Sequence, residues 1–248
     1  MSEYEEGMPS VLAAAWGLRE RPGKGPRLTL ERIVAAGVKV AATDGLSAVS
    51  MGRVARELGA ATMSLYRHVT TKDELLELMV DAAVGQPPPL PPGGGWRAGL
   101  TSFARAYLGL LRRQPWVIRV PLNSPPIMPN QIAWMDYGLA AMGGTVLRQD
   151  ERLSTIMIVS GIVRSWALLS ADINAAAQAG GVTTEQSTFG YGRLLKRLAD
   201  PARFPAVGEL VASGVLETPD AAPDDDFEFG LARFLDGLEA LIRSRETP

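Results

Sequence analysis

Apolar residues recur every three to four positions along most of this chain and alternate nowhere, which is the spacing of amphipathic helices and not of strands. Thr29 is placed to cap a helix through Leu30–Thr43 that Gly45 ends, with Leu30, Ile33, Val34, Val38 and Ala41 on one face. Ser50 is placed to cap Met51–Leu58, with Met51, Val54 and Leu58 inward and Gly59 as the stop. The stretch "ATMSLYRH", residues 61–68, is too short to stand as a helix alone. Thr71 and Glu74 then form a T-x-x-E capping box that opens "KDELLELMVDAAV". Two helices, a tight turn, a short helix and a capped helix make a helix-turn-helix unit on supporting helices.

Residues 86–95, "QPPPLPPGGG", break the pattern: proline lacks the amide hydrogen and consecutive glycines lose too much backbone entropy to be helical. Beyond this spacer the periodicity resumes. It predicts an amphipathic helix from Trp96 stopped at Pro115, a loop over 123–130, a helix from Gln131 closed by Gly143 and Gly144, a long helix over 150–178 and a last helix over 224–245. The fold class is all-α. Four parts follow: a flexible basic arm (1–27), a helix-turn-helix domain (28–85), a Pro/Gly linker (86–95) and a larger helical domain (96–248).

Within the short helix, 3.6-residue geometry sets the outward side chains once Leu65 and Val69 point inward. Met63, Ser64 and Arg67 then lie on the opposite face, with Thr62 and Tyr66 flanking it. Such a face suits the major groove. Thr62, Met63, Ser64 and Arg67 are the base-reading candidates, since hydroxyls can bond base edges and a methyl or thioether can touch a thymine methyl. Tyr66, His68 and Lys72 suit phosphate oxygens, as do the free amides at Thr71, where the next helix starts. The bland alternatives are that Tyr66 closes a small core, His68 caps a helix and Met63 only packs.

Net charge, −2 overall, changes this picture only when it is mapped. Between Arg19 and Lys72 ten basic residues face four acidic ones, for a local +6, while Asp73 to the C-terminus sums to −5. One end is built to meet a polyanion. Arg19, Arg21, Lys24 and Arg27 sit in a Gly/Pro-rich arm that either enters a minor groove or only solubilises.

At this point the residues resemble a family. The run "DGLSAVSMGRVARELGAATMSLYRHVTTKDELLELM" is similar to the DNA-binding domain of TetR-family regulators, in the pattern L-Y-x-H-[FV]-x-x-K-x-x-L-L carried by Leu65, Tyr66, His68, Val69, Lys72, Leu75 and Leu76. The resemblance covers about residues 28–84. It implies phosphate contacts for Tyr66, His68 and Lys72 and base contacts for Thr62, Met63 and Ser64. Where the family often carries a base-reading arginine this chain has Gly52, and neighbouring Arg53 or Arg56 is then placed to reach phosphate instead.

For the C-terminal region the resemblance implies an all-helical body that encloses an effector and pairs two late helices with their copies. The helices 150–178 and 224–245 take that role, with Phe227, Leu231, Phe234 and Leu238 as the interface stripe. The run Ile156–Leu169 is apolar nearly all round, which predicts a central position. Phe103, Tyr107, Trp134, Tyr137, Met157, Arg164 and Trp166 are the pocket candidates, against the alternative of a filled core. Arg164, a charge in the most apolar run, must pair with an acid such as Asp136 or Glu185 or face an anionic ligand.

Cysteine is absent and His68 is the lone histidine, so disulfides and thiolate metal sites are excluded and a Ser-His-Asp arrangement loses its raw material. No cofactor is implied. The acidic start "MSEYEEGMPS" is unlike a signal peptide, and the 14-residue run Ile156–Leu169 is short of the roughly 20 apolar residues of a membrane span, so a cytoplasmic protein is expected. The reading is a homodimeric repressor that holds a pseudo-palindromic operator and is released by a largely apolar small molecule. A DNA-binding protein without effector and an enzyme using the helical pocket are the alternatives.

Overall fold

The computed structural model describes residues 10–18, 28–121, 125–217 and 224–246. The described residues are helical, with no strand among them. The basic residues Arg19, Arg21, Lys24 and Arg27 lie outside them. Two compact units form, residues 1–164 and 165–248, divided inside a long helix.

The first unit opens with α1 (Ser10–Ala15), α2 (Leu30–Asp44), α3 (Met51–Glu57), α4 (Thr62–Leu65) and α5 (Lys72–Val84). Local chemistry fixes most of the ends. The Thr29 hydroxyl accepts from the Arg32 amide at 3.3 Å, Ser50 from the Arg53 amide at 3.2 Å and Thr71 from the Glu74 amide at 3.1 Å, each satisfying an orphan donor of a first turn. Glu74 completes its box one residue early: its carboxylate accepts from the Thr70 amide at 2.7 Å.

The buried face of α2 is Ile33, Val34, Gly37, Val40 and Ala41, while Val38 is only half-buried, a rotation of the expected stripe. Gly37 explains it. A Cβ there would stand 2.6 Å from Met79 Sδ, so the missing side chain lets α2 and α5 approach closely.

After an extended segment, α6 (Gly95–Arg113), the 3-10 turn Pro115–Arg119, α7 (Pro129–Ala141) and the start of α8 (Gln149–Ala179) complete the first unit. The end of α5 is pinned to α7. Asp81 Oδ1 accepts from the backbone amides of Asn130 and Gln131, both at 3.0 Å, and Trp134 Nε1 donates to the Gly85 carbonyl at 2.9 Å. Proline at the first position lets α7 begin inside the expected loop, since its missing N–H is one of the helix-end orphans.

The second unit holds the rest of α8, then α9 (Thr184–Leu198), α10 (Pro205–Ala212) and α11 (Asp225–Glu246). α9 and α10 occupy a stretch to which the sequence reading assigned no element. At 31 residues, α8 carries an 18-residue window of mean hydropathy 1.5, so the formed helix, unlike the 14-residue run alone, has the length and composition of a membrane span.

Central burial of α8 is corrected. Ile156, Val159, Val163 and Ala167 are buried, but Leu153, Met157, Ile158, Leu169 and Ile173 are exposed, so the apolar run is not covered all round. On α11 the stripe Phe227, Leu231 and Leu238 is buried within the single chain and Phe234 is half-buried. Three of the four expected interface residues thus take part in the chain's own packing.

Candidate nucleic-acid interface and effector core

The helix-turn-helix surface is a polar face on a dry frame. Leu65 and Val69 are 0% and 1% exposed, which fixes the rotation of α4 and turns its other residues outward. Met63 is 73% exposed and Tyr66 42%, Arg67 is exposed, and Thr62 and Ser64 are half-buried. The helical part ends at Leu65, and Tyr66–His68 continue as a turn closed by the Val69 amide on the Leu65 carbonyl at 3.0 Å. Lys72 and Thr71 are exposed at the start of α5, whose free amides point the same way as its positive dipole end. No ion pair involves Arg67, His68 or Lys72 within the described chain. These are unspent donors gathered on one surface.

The Arg53 guanidinium bonds Asp44 Oδ2 at 2.8 Å and Glu57 Oε2 at 2.8 Å, and Lys39 Nζ meets Glu57 Oε1 at 2.7 Å. The network braces α2 against α3 and engages Arg53 with two carboxylates. Both bases hold the Glu57 carboxyl down at about 2. Arg56, between Arg53 and Glu57 in sequence, is exposed and unpaired. At Gly52 a side chain would meet no atom within 4 Å, so the place of the family's arginine is open space on an exposed helix face.

In the C-terminal part of the first unit, four aromatic rings gather between α6 and α7. Tyr107 and Trp134 have centroids 5.5 Å apart, Phe103 and Trp134 5.6 Å, and Phe103 and Tyr137 6.1 Å. Phe103, Trp134 and Tyr137 are buried, and Tyr137 Oη bonds Ser102 Oγ at 3.0 Å. These candidates are brought together. Met157 is not: at 67% exposure it lines no core. Trp166 is half-buried, and its indole N–H is buried with no acceptor.

Arg164 meets neither proposed acid. Its Nη1 lies 3.5 Å from Tyr107 Oη and its Nη2 3.4 Å from the Ile118 carbonyl. An open groove of about 380 Å³ runs along the other edge of Trp134, lined also by Val84, Gln86, Arg105 and Arg113. Sequence reasoning missed the Asp81–Asn130 clamp altogether. The signal available was an acid inside the apolar stripe of α5, and burial pushes that carboxyl up against the pull of its three hydrogen bonds. No group of three or more metal-ligating side chains occurs among the described residues.

Comparisons with known proteins agree with this arrangement. Residues 33–79 match the description "Bacterial regulatory proteins, tetR family" and residues 88–242 "Tetracyclin repressor-like, C-terminal domain". The chain is 37% identical over 241 residues to the HTH-type transcriptional repressor DrrR1 of Streptomyces coeruleorubidus, covering 95% of this chain and 87% of that protein. It is 32% identical over 160 residues to an HTH-type transcriptional regulator of Saccharopolyspora erythraea, 64% of this chain and 66% of the other. Among solved structures, ActR of Streptomyces coelicolor in complex with actinorhodin superposes with a TM-score of 0.71 at 27% identity, over 87% of this chain and 97% of ActR. A described fold of helices alone, a helix-turn-helix at the N-terminal end and these two matched regions make the chain a member of the TetR family of bacterial transcriptional regulators.

Proposed function

We propose that the chain is a cytoplasmic repressor that binds a pseudo-palindromic operator as a homodimer and is released by a small molecule. The observation that carries the DNA-binding part is the α4–α5 face: Arg67 and Lys72 without acidic partners, beside exposed Met63 and Tyr66, on a frame whose own polar groups are bonded. Thr62, Met63, Ser64 and Arg67 read base edges, and Tyr66, His68, Thr71 and Lys72 hold phosphate. Arg56 takes the phosphate role that Arg53, tied to Asp44 and Glu57, is not free to fill.

Two-fold symmetry follows from the target, since two recognition helices about 34–36 Å apart read two half-sites. The exposed apolar residues of α8, Leu153, Met157, Ile158, Leu169 and Ile173, support an interface on that helix. The effector reading rests on the aromatic group of α6 and α7 and on ActR, which is similar over most of this chain and was crystallised with actinorhodin. Release needs a coupling of only about 1–3 kcal/mol. The route runs from α7 through the Asp81–Asn130 and Trp134–Gly85 bonds to α5, whose first turn carries Lys72.

Selection of bound duplex from a random pool tests the reading, followed by titration of the winner at two salt concentrations. An inverted repeat with a steep salt slope is the expected result, and recovery of no motif overturns it. The close mutual packing of Phe103, Tyr107, Trp134 and Tyr137 favours one other reading, a repressor with a filled core and no effector. An operator complex that no small molecule dissociates selects that one.

A further inference from the structure

Arg164 is a cation whose surroundings do not explain it. It stands in the apolar run of α8 between buried Val163 and buried Ala167 and is itself half-buried. Guanidinium offers five N–H donors and carries a full positive charge. Two of those donors meet neutral oxygens, Tyr107 Oη at 3.5 Å and the Ile118 carbonyl at 3.4 Å, both beyond the 2.7–3.2 Å of a good N–H···O bond. The other three make no hydrogen bond, and no carboxylate among the described residues lies within ion-pair reach. Elsewhere the chain supplies acids freely: Arg53 has two, Arg148 has Asp150 and Glu151, Arg233 has Asp236 and Arg243 has Glu239.

A partly desolvated charge without a counter-charge is unfavourable, and a fold with no use for it does better with a hydrophobic residue of similar volume. The neighbouring surface says what kind of anion is missing. Tyr107 touches both the Phe103 ring, at 6.2 Å between centroids, and the Trp134 ring, at 5.5 Å, so the ground beside the guanidinium is aromatic. The Tyr107 hydroxyl accepts from Arg164 and keeps its own proton to donate.

We propose that Arg164 is the anchor for the acidic group of the effector, and that the effector is a flat aromatic acid whose ring packs against Tyr107 while its carboxylate or acidic phenolate takes the unused guanidinium donors and the Tyr107 hydroxyl. The inference rests on the effector reading above and narrows it to a charge type. Arginine presents parallel N–H groups that match a carboxylate in a fork, and in this partly buried setting the pair is screened little by salt.

The probe is 2-naphthoate, with 2-naphthamide as its uncharged counterpart of the same shape, titrated calorimetrically into the full-length chain. Naphthoate is expected to bind and the amide to bind at least tenfold more weakly. Arg164→Gln weakens naphthoate by roughly 10-fold to 100-fold and leaves the amide unchanged. Arg164→Lys restores part of the affinity, because the charge returns without the fork. Equal binding of acid and amide, or naphthoate binding that survives Arg164→Gln, overturns the proposal.

A second measurement needs no ligand. Arg164→Met is expected to keep or raise the thermal midpoint; a fall of several degrees shows instead that the arginine is a structural tie, and the proposal fails. Failure of the anchor is separable from failure of the effector reading. If naphthoate binds through Arg164 without weakening the selected operator, the site stands and the effector role falls. If no acid binds but an uncharged compound releases the operator, the effector role stands and the anchor falls.

Discussion

On the α4–α5 face Arg67 and Lys72 stand in water without acidic partners, whereas Arg164 stands without one half inside the protein. The first arrangement is cheap. An exposed cation keeps its hydration, and the helix-turn-helix holds several such groups in one place because its internal polar groups are consumed by caps and by the Lys39–Glu57–Arg53–Asp44 network. The second is expensive, since partial burial strips solvent and returns only two long bonds. Unpaired charge on a surface says that a large, hydrated polyanion comes and goes; unpaired charge in a partly dry place says that a small anion fits.

The widest separation between the two sites is their response to salt. A protein that makes six to ten phosphate contacts through Lys and Arg loses about 10³–10⁵ in affinity between 50 and 200 mM salt, through release of condensed counterions. Operator binding by this chain is expected to fall in that steep way. Aromatic-acid binding at Arg164 is expected to change by no more than about threefold over the same range, because a single partly buried pair releases no counterion atmosphere. Fluorescence anisotropy for the duplex and calorimetry for the acid give both slopes; parallel slopes erase the distinction.

Next in size is the frame of the DNA face. Leu65 is fully buried and sets the rotation of a helix only four residues long. Leu65→Ala removes the side chain and leaves a cavity, for an expected loss of about 2–5 kcal/mol in the unfolding of this region. Operator affinity is lost with it, because Met63, Ser64 and Arg67 no longer hold their outward angle. Calorimetric unfolding together with anisotropy reads both, and a stable variant that still binds shows that α4 needs no anchor at Leu65.

Smaller effects sharpen the surface itself. Lys72→Ala is expected to weaken binding to all duplex sequences and to lower the magnitude of the salt slope by about one. Gly52→Arg tests the converse. The side chain enters open space, adds a cation to an exposed helix face and replaces a poor helix former, so the variant is expected to be more stable by up to about 1 kcal/mol and to steepen the salt slope by about one. An unchanged slope for Gly52→Arg removes α3 from the contact surface.

Much of the DNA-reading end was legible because its signals are local. Caps at Thr29, Ser50 and Thr71, glycine stops at Gly45 and Gly59, and the inward pair Leu65 and Val69 all depend on residues within a turn of one another. What was not legible there depends on pairs far apart in sequence. Arg53 reads as a free cation until Asp44, nine residues back on another helix, is brought beside it, and the face of α2 shifts because Gly37 accepts Met79. The C-terminal part was less legible for the same reason. An apolar stripe such as Phe227–Leu231–Leu238 has one appearance whether it meets its own chain or a second copy, and only the fold decides between them. Asp81 carried no visible purpose until α7 arrived to donate two amides to it.

The smallest expected effect concerns the network that keeps Arg53 off the interface. Glu57 lies between Lys39 and Arg53, and hydrogen bonds from both hold its carboxyl down at about 2, against an ordinary 4.5. Its ionised form is therefore favoured by folding. The stabilisation is complete above about pH 4.5 and is lost as pH falls from there toward 2, because the unfolded chain takes up the proton first. The cluster lies at the surface, with Lys39 and Asp44 exposed and Glu57 half-buried, so the effect is modest and screened by salt. Glu57→Gln is expected to lower the urea midpoint slightly at pH 6 and to match the parent chain more closely at pH 3, since the unfolded parent is then mostly protonated and must release that proton to fold. In the same variant Arg53 loses one of its two carboxylates while Asp44 remains. If its operator affinity rises and the salt slope steepens, the acid pair had been withholding Arg53 from phosphate; if neither moves, Arg53 is aimed away from the duplex by the packing of α3 on α2, and the network is a brace alone.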